Sequence, residues 1–514
     1  MIEYIKRIIN KVYNQDAMTY LKYIITVTYA DGTDEEKERL AKEIKTCLKE
    51  ISVMSIYYRI YLMSALIVIE SNPQNIVDAL EQICISDELS KETKYYLLRQ
   101  FDRIAFIRPE VWSDKASIYM RKLYDQVFSL YKKELSDLLV PIPKQERNPN
   151  FIVIFTTQFL GIRHAPTHST FERCYCLGEL MGKQVFLINT REVMTTLGEI
   201  PFFRAGKANL IKEYNSCNTV EYKGYIMDFF QPESPMPDVN VLRVILGIVR
   251  EMKPWFVLGM GDYSITADLC SRMIPEAALS FGFSGLPATQ GQMSILGRQL
   301  LDGELEQLMT KGYREEQIIE STFTFELHEQ KKTLTKAELG LPDDKFILVS
   351  VGTRLHDDIT DEFIERILNT VSWNTHFVLM GHMDNYNTMC EKYPELKECS
   401  TFLGYQDDVL AVLEHCDLYV NPRRIGGGFS IVEAFYKNVP GVTIAYGDIA
   451  AAAGRDFWVK DYDEMFETVR RYIEDKEFYK RQVENAKERL TLLLDGEYAM
   501  KTIIEKIEGN ELFF

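Results

Sequence analysis

The residues best suited to chemistry lie between 417 and 435. Asp417-Leu418-Tyr419-Val420 reads as a strand that ends at Asn421-Pro422. Arg423, Arg424 and Ile425 follow, then Gly426, Gly427 and Gly428, then Phe429-Ser430-Ile431-Val432-Glu433. A glycine-rich turn lets backbone N–H groups approach an anion closely. The helix expected to begin near Phe429 or Ser430 adds unsatisfied donors and partial positive charge. Such a place suits a pyrophosphate, and Arg423 and Arg424 could add charge-assisted contacts. Glu433, about one turn into the helix, is placed to accept hydrogen bonds from a vicinal diol such as a ribose. The plainer alternative is a structural turn followed by the acidic residue that helix starts favour.

A second group lies in Gly161-Ile162-Arg163-His164-Ala165-Pro166-Thr167-His168-Ser169-Thr170, which holds two of the chain's seven histidines. Read as a loop after a strand, it would point into a cleft. His168 or His164 could then donate to a leaving diphosphate or take a proton from an acceptor. The alternative is a cap, with Ser169 or Thr170 starting a helix at Phe171. Zinc is disfavoured, because a spacing of four on a proline-containing loop lacks a third ligand. Asp262, in Gly259-Met260-Gly261-Asp262, is either an acceptor-side base or a turn-stabilising aspartate. The small-residue stretch Gly447–Gly454 either places backbone donors near phosphates or permits tight helix packing.

Three segments must position these residues. Residues 1–145 read as an all-helical domain, from apolar spacing such as Ile5, Ile8, Ile9 and Val12 and from breaks at Ser71-Asn72-Pro73 and Arg108-Pro109. A linker follows around Val140–Pro149. Residues 150–335 alternate strand and helix: strands at Phe151–Thr156, Gln184–Thr190, Trp255–Gly261 and Ala277–Phe281, and a helix at Phe171–Met181. Residues 336–514 repeat the pattern, with strands at Lys345–Val351, His376–Gly381, Thr401–Gly404, Asp417–Val420 and Gly441–Ile444, a helix at Asp361–Val371 and a charged helical tail from Tyr462. Two successive α/β domains make a cleft at their interface, and ligands of open α/β sheets bind beyond the carboxyl ends of the strands.

Composition narrows the function classes. A formal net charge of −17 argues against wholesale binding of nucleic acid or anionic lipid, though not against a local basic pocket. The nine cysteines are scattered and read as free thiols in a reducing compartment. No signal peptide or membrane span is apparent, so a cytoplasmic protein is expected.

The stretches Phe402-Leu403-Gly404-Tyr405, Asp417–Ala434 and Val439-Pro440-Gly441-Val442 resemble the donor half of the GT-B glycosyltransferases. The resemblance implies two facing Rossmann-like domains, with a nucleotide sugar held by Gly404, Tyr405, Arg424, Gly427, Gly428, Phe429, Ser430 and Glu433. Where many retaining members carry a second glutamate, this chain has Ile425, which leaves the anomeric outcome open. Thr167-His168-Ser169-Thr170 and Gly285-Leu286-Pro287-Ala288-Thr289 resemble motifs of the bacterial adhesin N-glucosyltransferases, relatives of the O-GlcNAc transferases, which also begin with a helical domain. That family's phosphate-binding lysine has no clear counterpart in Gly352–Asp358, where Arg354 is the available cation.

The expectation is therefore a glycosyltransferase using a UDP-linked sugar, UDP-glucose or UDP-N-acetylglucosamine, as co-substrate. The uridine follows from the resemblance alone. No further cofactor and no metal are expected, since no clustered carboxylates suggest a Mg²⁺ or Mn²⁺ site. The acceptor would be a protein or a glycan, and the helical domain would bind it or serve oligomerisation or a glycosylation complex. An inactive sugar-nucleotide-binding partner is the rival from another class, and a sugar-nucleotide epimerase is a third. A nicotinamide enzyme is disfavoured, because Thr156–Gly161 lacks the Gly-x-Gly-x-x-Gly fingerprint.

Overall fold

From residue 14 the chain forms α1 (Gln15–Asp31), α2 (Asp34–Glu50), α3 (Ile56–Ile69), α4 (Pro73–Ile85), α5 (Lys91–Ile107) and α6 (Asp114–Glu134) before any strand. Local chemistry sets their starts. Thr33 and Glu36 form a capping box on α2, Asn72 caps α4 ahead of Pro73, and Ser90 and Ser113 cap α5 and α6. The computed structural model describes residues 14–51, 54–70, 72–162, 164–194, 211–310 and 312–510. Ile5, Ile8, Ile9 and Val12, together with Ser71 and Arg163, lie outside the described residues.

Two sheets follow. The first contains β1 (Asn148–Thr156), β2 (Gln184–Asn189), β3 (Thr219–Tyr222), β4 (Tyr225–Phe230), β5 (Pro254–Met260), β6 (Glu276–Leu279), β7 (Met293–Leu296) and β8 (Ile318–Glu320). Its order is β3-β4-β2-β1-β5-β6-β7-β8, parallel except for the β3–β4 hairpin. The second contains β9 (Phe346–Gly352), β10 (Thr375–Gly381), β11 (Ser400–Gly404), β12 (Leu418–Asn421), β13 (Gly441–Ile444) and β14 (Trp458–Val459). Its order is β11-β10-β9-β12-β13-β14, parallel throughout. This is the expected α/β architecture, two Rossmann-like domains after an all-helical region. The β3–β4 hairpin, not expected from the sequence, turns on Lys223 (φ 52°) and Gly224 (φ 82°), both left-handed.

Side chains alternate across each strand and so sort into layers. Phe151, Val153 and Phe155 of β1 enter a core shared with α1–α6, while Ile152 and Ile154 enter the opposite one. In β9, Ile347 and Val349 share that second core with the first sheet, and Leu348 faces a third core behind the second sheet. The helical region is thus packed directly on the first sheet.

The helix after β1 departs from expectation. α7 (Ala165–Tyr175) begins at Ala165 rather than Phe171, with Pro166 in its first turn, and passes into a π turn at Cys176–Leu180. Proline is favoured there because its missing N–H has no intrahelical acceptor to lose. Thr167–Thr170 are consequently helical, not loop.

Two further helices shape the second domain: α8 (Gly428–Tyr436) and α9 (Gly447–Ala453). The helical tail is α10 (Tyr462–Glu474), α11 (Lys476–Leu494) and α12 (Gly496–Glu508). The last of these returns to the first sheet: Trp255 Nε1 donates to Glu508 at 3.1 Å, and Lys506 Nζ to the Glu320 carbonyl at 3.2 Å. The sheet orders reverse between β1 and β5 and between β9 and β12, so the loops after these strands face the cleft.

Candidate functional site

The loop between β12 and α8 is organised around Arg424. Its guanidinium is buried and donates to Asn421 Oδ1 (2.9 Å), Asp358 Oδ2 (3.2 Å), the Val351 carbonyl (2.7 Å) and Tyr419 Oη (2.9 Å). The neighbouring glycines make room for it. A Cβ on Gly352 would stand 2.3 Å from Arg424 Nη1, and one on Gly427 3.0 Å from Cζ. Arg424 therefore holds the loop from within, and does not present a free cation as the sequence suggested. Arg423 points away, with its side chain exposed and its guanidinium 4.9 Å from the Tyr446 ring centroid.

Gly427 occupies the N-cap of α8 at φ 98°, and no side chain caps this helix. Ser430 Oγ donates to the Gly427 carbonyl at 2.8 Å and lies 2.7 Å from Tyr419 Oη. The helix start opens on a cavity of about 220 Å³ whose wall includes Arg354, Arg424, Gly427, Phe429, Ser430 and Glu433. Uncapped N–H groups and the helix field make this end attractive to an anion. At the other end stands Glu433, whose carboxyl has no hydrogen-bond partner among the described residues. Burial, then the charge of Asp408, pushes its carboxyl up to about 8. At the mouth, Gly404 turns at φ 64° and Tyr405 stacks on His382, with rings 13° apart in plane and centroids separated by 5.6 Å. Tyr405 is 57% exposed, so one face of this pair is open to a planar ligand.

His168 approaches this cavity from the first domain, and His164 lies one turn before it. His164 is the N-cap residue of α7 and its Nδ1 lies 3.1 Å from Thr167 Oγ1. Burial lowers its pKa to about 4. His168, one turn further on, is buried, and its ring centroid lies 6.4 Å from that of Phe429 across the cleft. Burial also brings it down to about 4, opposed by the Glu326 carboxylate. Tyr222 donates its hydroxyl proton to Glu326, so the His168 Nε2 at 3.3 Å is the donor to Tyr222. Nδ1 then carries the lone pair, the state a proton acceptor needs.

Asp262 is committed elsewhere. Its carboxylate accepts from Ser280 Oγ (2.5 Å) and the Ala288 amide (2.9 Å), pinning the Gly285–Thr289 loop. The turn-stabilising alternative is the one the geometry favours. The residue just before that loop reaches the second domain: the Ser284 amide donates to Asp448 Oδ1 at 3.0 Å, and burial raises the Asp448 carboxyl to about 7. Asp448 opens α9, whose Gly447 turns at φ 75° beneath the Arg424 and Ile425 carbonyls. The Gly447–Gly454 stretch thus packs against the glycine loop.

Sequence reasoning passed over Asp358, His382 and Tyr222. Each acts through a distant partner, and the only signal available was the Lys223-Gly224 turn that delivers Tyr222. Among the described residues no group of three or more His, Cys, Asp or Glu is placed to hold a metal ion. Among them, too, no helix is long and apolar enough to cross a membrane.

Residues 331–489 match the family described as Glycosyl transferases group 1, a stretch that contains the whole second sheet. No curated protein matches the chain. Among solved structures, the chain is similar to a glycosyltransferase from Rickettsia africae, at 11% identity over 70% of this chain and 98% of that one, with a TM-score of 0.49. It is also similar to an O-GlcNAc transferase mutant from Thermobaculum terrenum, at 11% identity over 98% of each chain and a TM-score of 0.49. A third is HepE of Anabaena, solved with UDP and glucose, at 13% identity over 70% of this chain and 99% of that one, with a TM-score of 0.44.

The two adjacent arginines should separate sharply. Arg424→Lys removes the fork and leaves buried acceptors unpaired, at a cost of about 2–4 kcal/mol in urea unfolding. Arg423→Ala should stay within about 0.5 kcal/mol of the parent. Equal effects would contradict the inward role of Arg424.

Proposed function

We propose that this chain is a glycosyltransferase whose second domain, residues 336–514, holds a UDP-linked sugar, with the acceptor entering from residues 150–335. The observation that carries this reading is the cavity at the ends of β9 and β12. One end has an uncapped helix start over a glycine turn, and the other has an unpartnered carboxyl. Diphosphate at the first and ribose diol at the second would satisfy both. The family match over residues 331–489 supports a glycosyl donor. The choice of uridine rests on the motif resemblance, and Tyr405 with His382 offers the base a stacking surface.

The acceptor, a protein side chain or a glycan hydroxyl, attacks the anomeric carbon through its oxygen or nitrogen. The bond from that carbon to the diphosphate oxygen breaks, and the diphosphate leaves with the electron pair. The acceptor's proton passes to Nδ1 of His168, which is neutral and unprotonated there at pH 7. The α8 start and Arg354 supply positive charge to the leaving group without a metal. His164 fixes the entry of α7, and Asp262 fixes the Gly285–Thr289 loop. We place the protein in the cytoplasm, where its cysteines would remain thiols.

Calorimetric titration of UDP tests the donor site. At pH 9, where its carboxyl is ionised, Glu433→Ala should weaken binding about ten- to a hundredfold. The pH dependence follows from the raised carboxyl. Below about 8 Glu433 is protonated and a poorer acceptor for two hydroxyls. Affinity should therefore rise as pH increases from 6 to 9, and rise less in Glu433→Gln. Identical pH profiles for the two proteins would remove Glu433 from the site. His168→Ala should lower kcat for transfer by roughly 10²–10⁴-fold while leaving UDP affinity nearly unchanged. An unchanged kcat would instead favour a binding protein without catalysis.

A further inference from the structure

The last two turns of α5 reach the cleft with Arg99, Asp102, Arg103 and Phe106. Arg99 is occupied by the first domain: it donates to the Asp262 carbonyl at 2.8 Å and pairs with Asp102 at 3.5 Å. Arg103 is not. Among the described residues its side chain makes no hydrogen bond or ion pair, and its guanidinium carbon stands 5.3 Å from the centroid of the Phe106 ring. Arg354, at the end of β9, approaches the same ring at 4.6 Å and likewise has no hydrogen-bonded or ion-paired side-chain partner among the described residues. Two guanidiniums on one ring, with no carboxylate bound to either, form a like-charge pair. Burial, then the charge of Arg354, lowers the pKa of Arg103 accordingly.

This pair borders the cavity. Arg354 is part of its wall. A Cβ on Gly426 would lie 3.6 Å from the Phe106 ring and 4.0 Å from Arg354 Nη2, so Phe106 backs the glycine turn. Cation–π contact holds both planar forks near the ring before any ligand arrives. An anion that meets both would relieve their mutual repulsion. A diphosphate has the charge and the oxygens to do so, and arginine forks suit it.

We propose that Arg103 and Arg354 together grip the diphosphate of the donor, so that the helical region completes the donor site. This rests on the nucleotide-sugar reading above and adds a binding residue from outside the two sheet domains. It also gives the direct packing of α5 on the cleft a functional consequence.

The test uses the full chain, titrated with UDP and, separately, with uridine, which lacks phosphate. Arg103→Gln should weaken UDP roughly tenfold or more and leave uridine unchanged, and Arg103→Lys should recover part of the loss. The uridine arm also confirms that the variant is folded. Unchanged UDP affinity in Arg103→Gln would overturn the proposal. Parallel loss of both ligands would overturn it too, by showing a merely structural arginine. If the parent protein binds UDP in neither form of the assay, the underlying donor reading fails and this proposal falls with it.

Discussion

The buried guanidinium of Arg424 is the contact on which the rest of the site depends. Its four donated hydrogen bonds join the ends of β9 and β12 to Asp358, across a separation of 66 residues. A buried charge of this kind persists only when paired and hydrogen-bonded. Asp358 supplies the charge, and Asn421, Val351 and Tyr419 take three further N–H groups. The glycines at 352 and 427 both leave room for the guanidinium, and Gly427 is required a second time by its left-handed turn at the open helix start. Ser430, held by Tyr419 and Gly427, aligns the first turn of α8 to the same frame.

The cleft itself is tightly bridged. A Cβ on Gly428 would meet Phe283 of the first domain at 2.7 Å, and Phe429 packs against Phe325 of the connecting segment with ring centroids 5.9 Å apart. Phe283 in turn stacks on Phe323 at 4.2 Å. Together with the Ser284–Asp448 hydrogen bond and the return of α12, these contacts set the distance between His168 and the glycine turn. Catalysis by positioned groups depends on such spacing being held by packing and not by loops alone.

Much of this was legible in the residues. Continuous apolar runs ending in glycine marked β9 and β10, and the glycine turn before Glu433 marked the uncapped start of α8. What stayed hidden depends on partners far away in the chain. Arg423 and Arg424 are identical by type, and only Asp358 and the strand ends decide which one turns inward. Pro166 suggested a loop, yet proline in a first helical turn placed His168 one turn inside α7. Arg103 and Phe106 fit an ordinary amphipathic helix, and the place of Phe106 beside Gly426, with Arg103 on its ring, appears only once the helical region docks on the first sheet.

The central claim is that the α8 start is the anion end of a nucleotide-sugar site, and amide hydrogen exchange tests it most directly. With saturating UDP, the amides of residues 427–431, together with those of residues 352–354, should exchange more slowly than in the free protein. UDP that binds while leaving the amides of residues 427–431 unprotected would contradict the account and move the nucleotide to another part of the cleft.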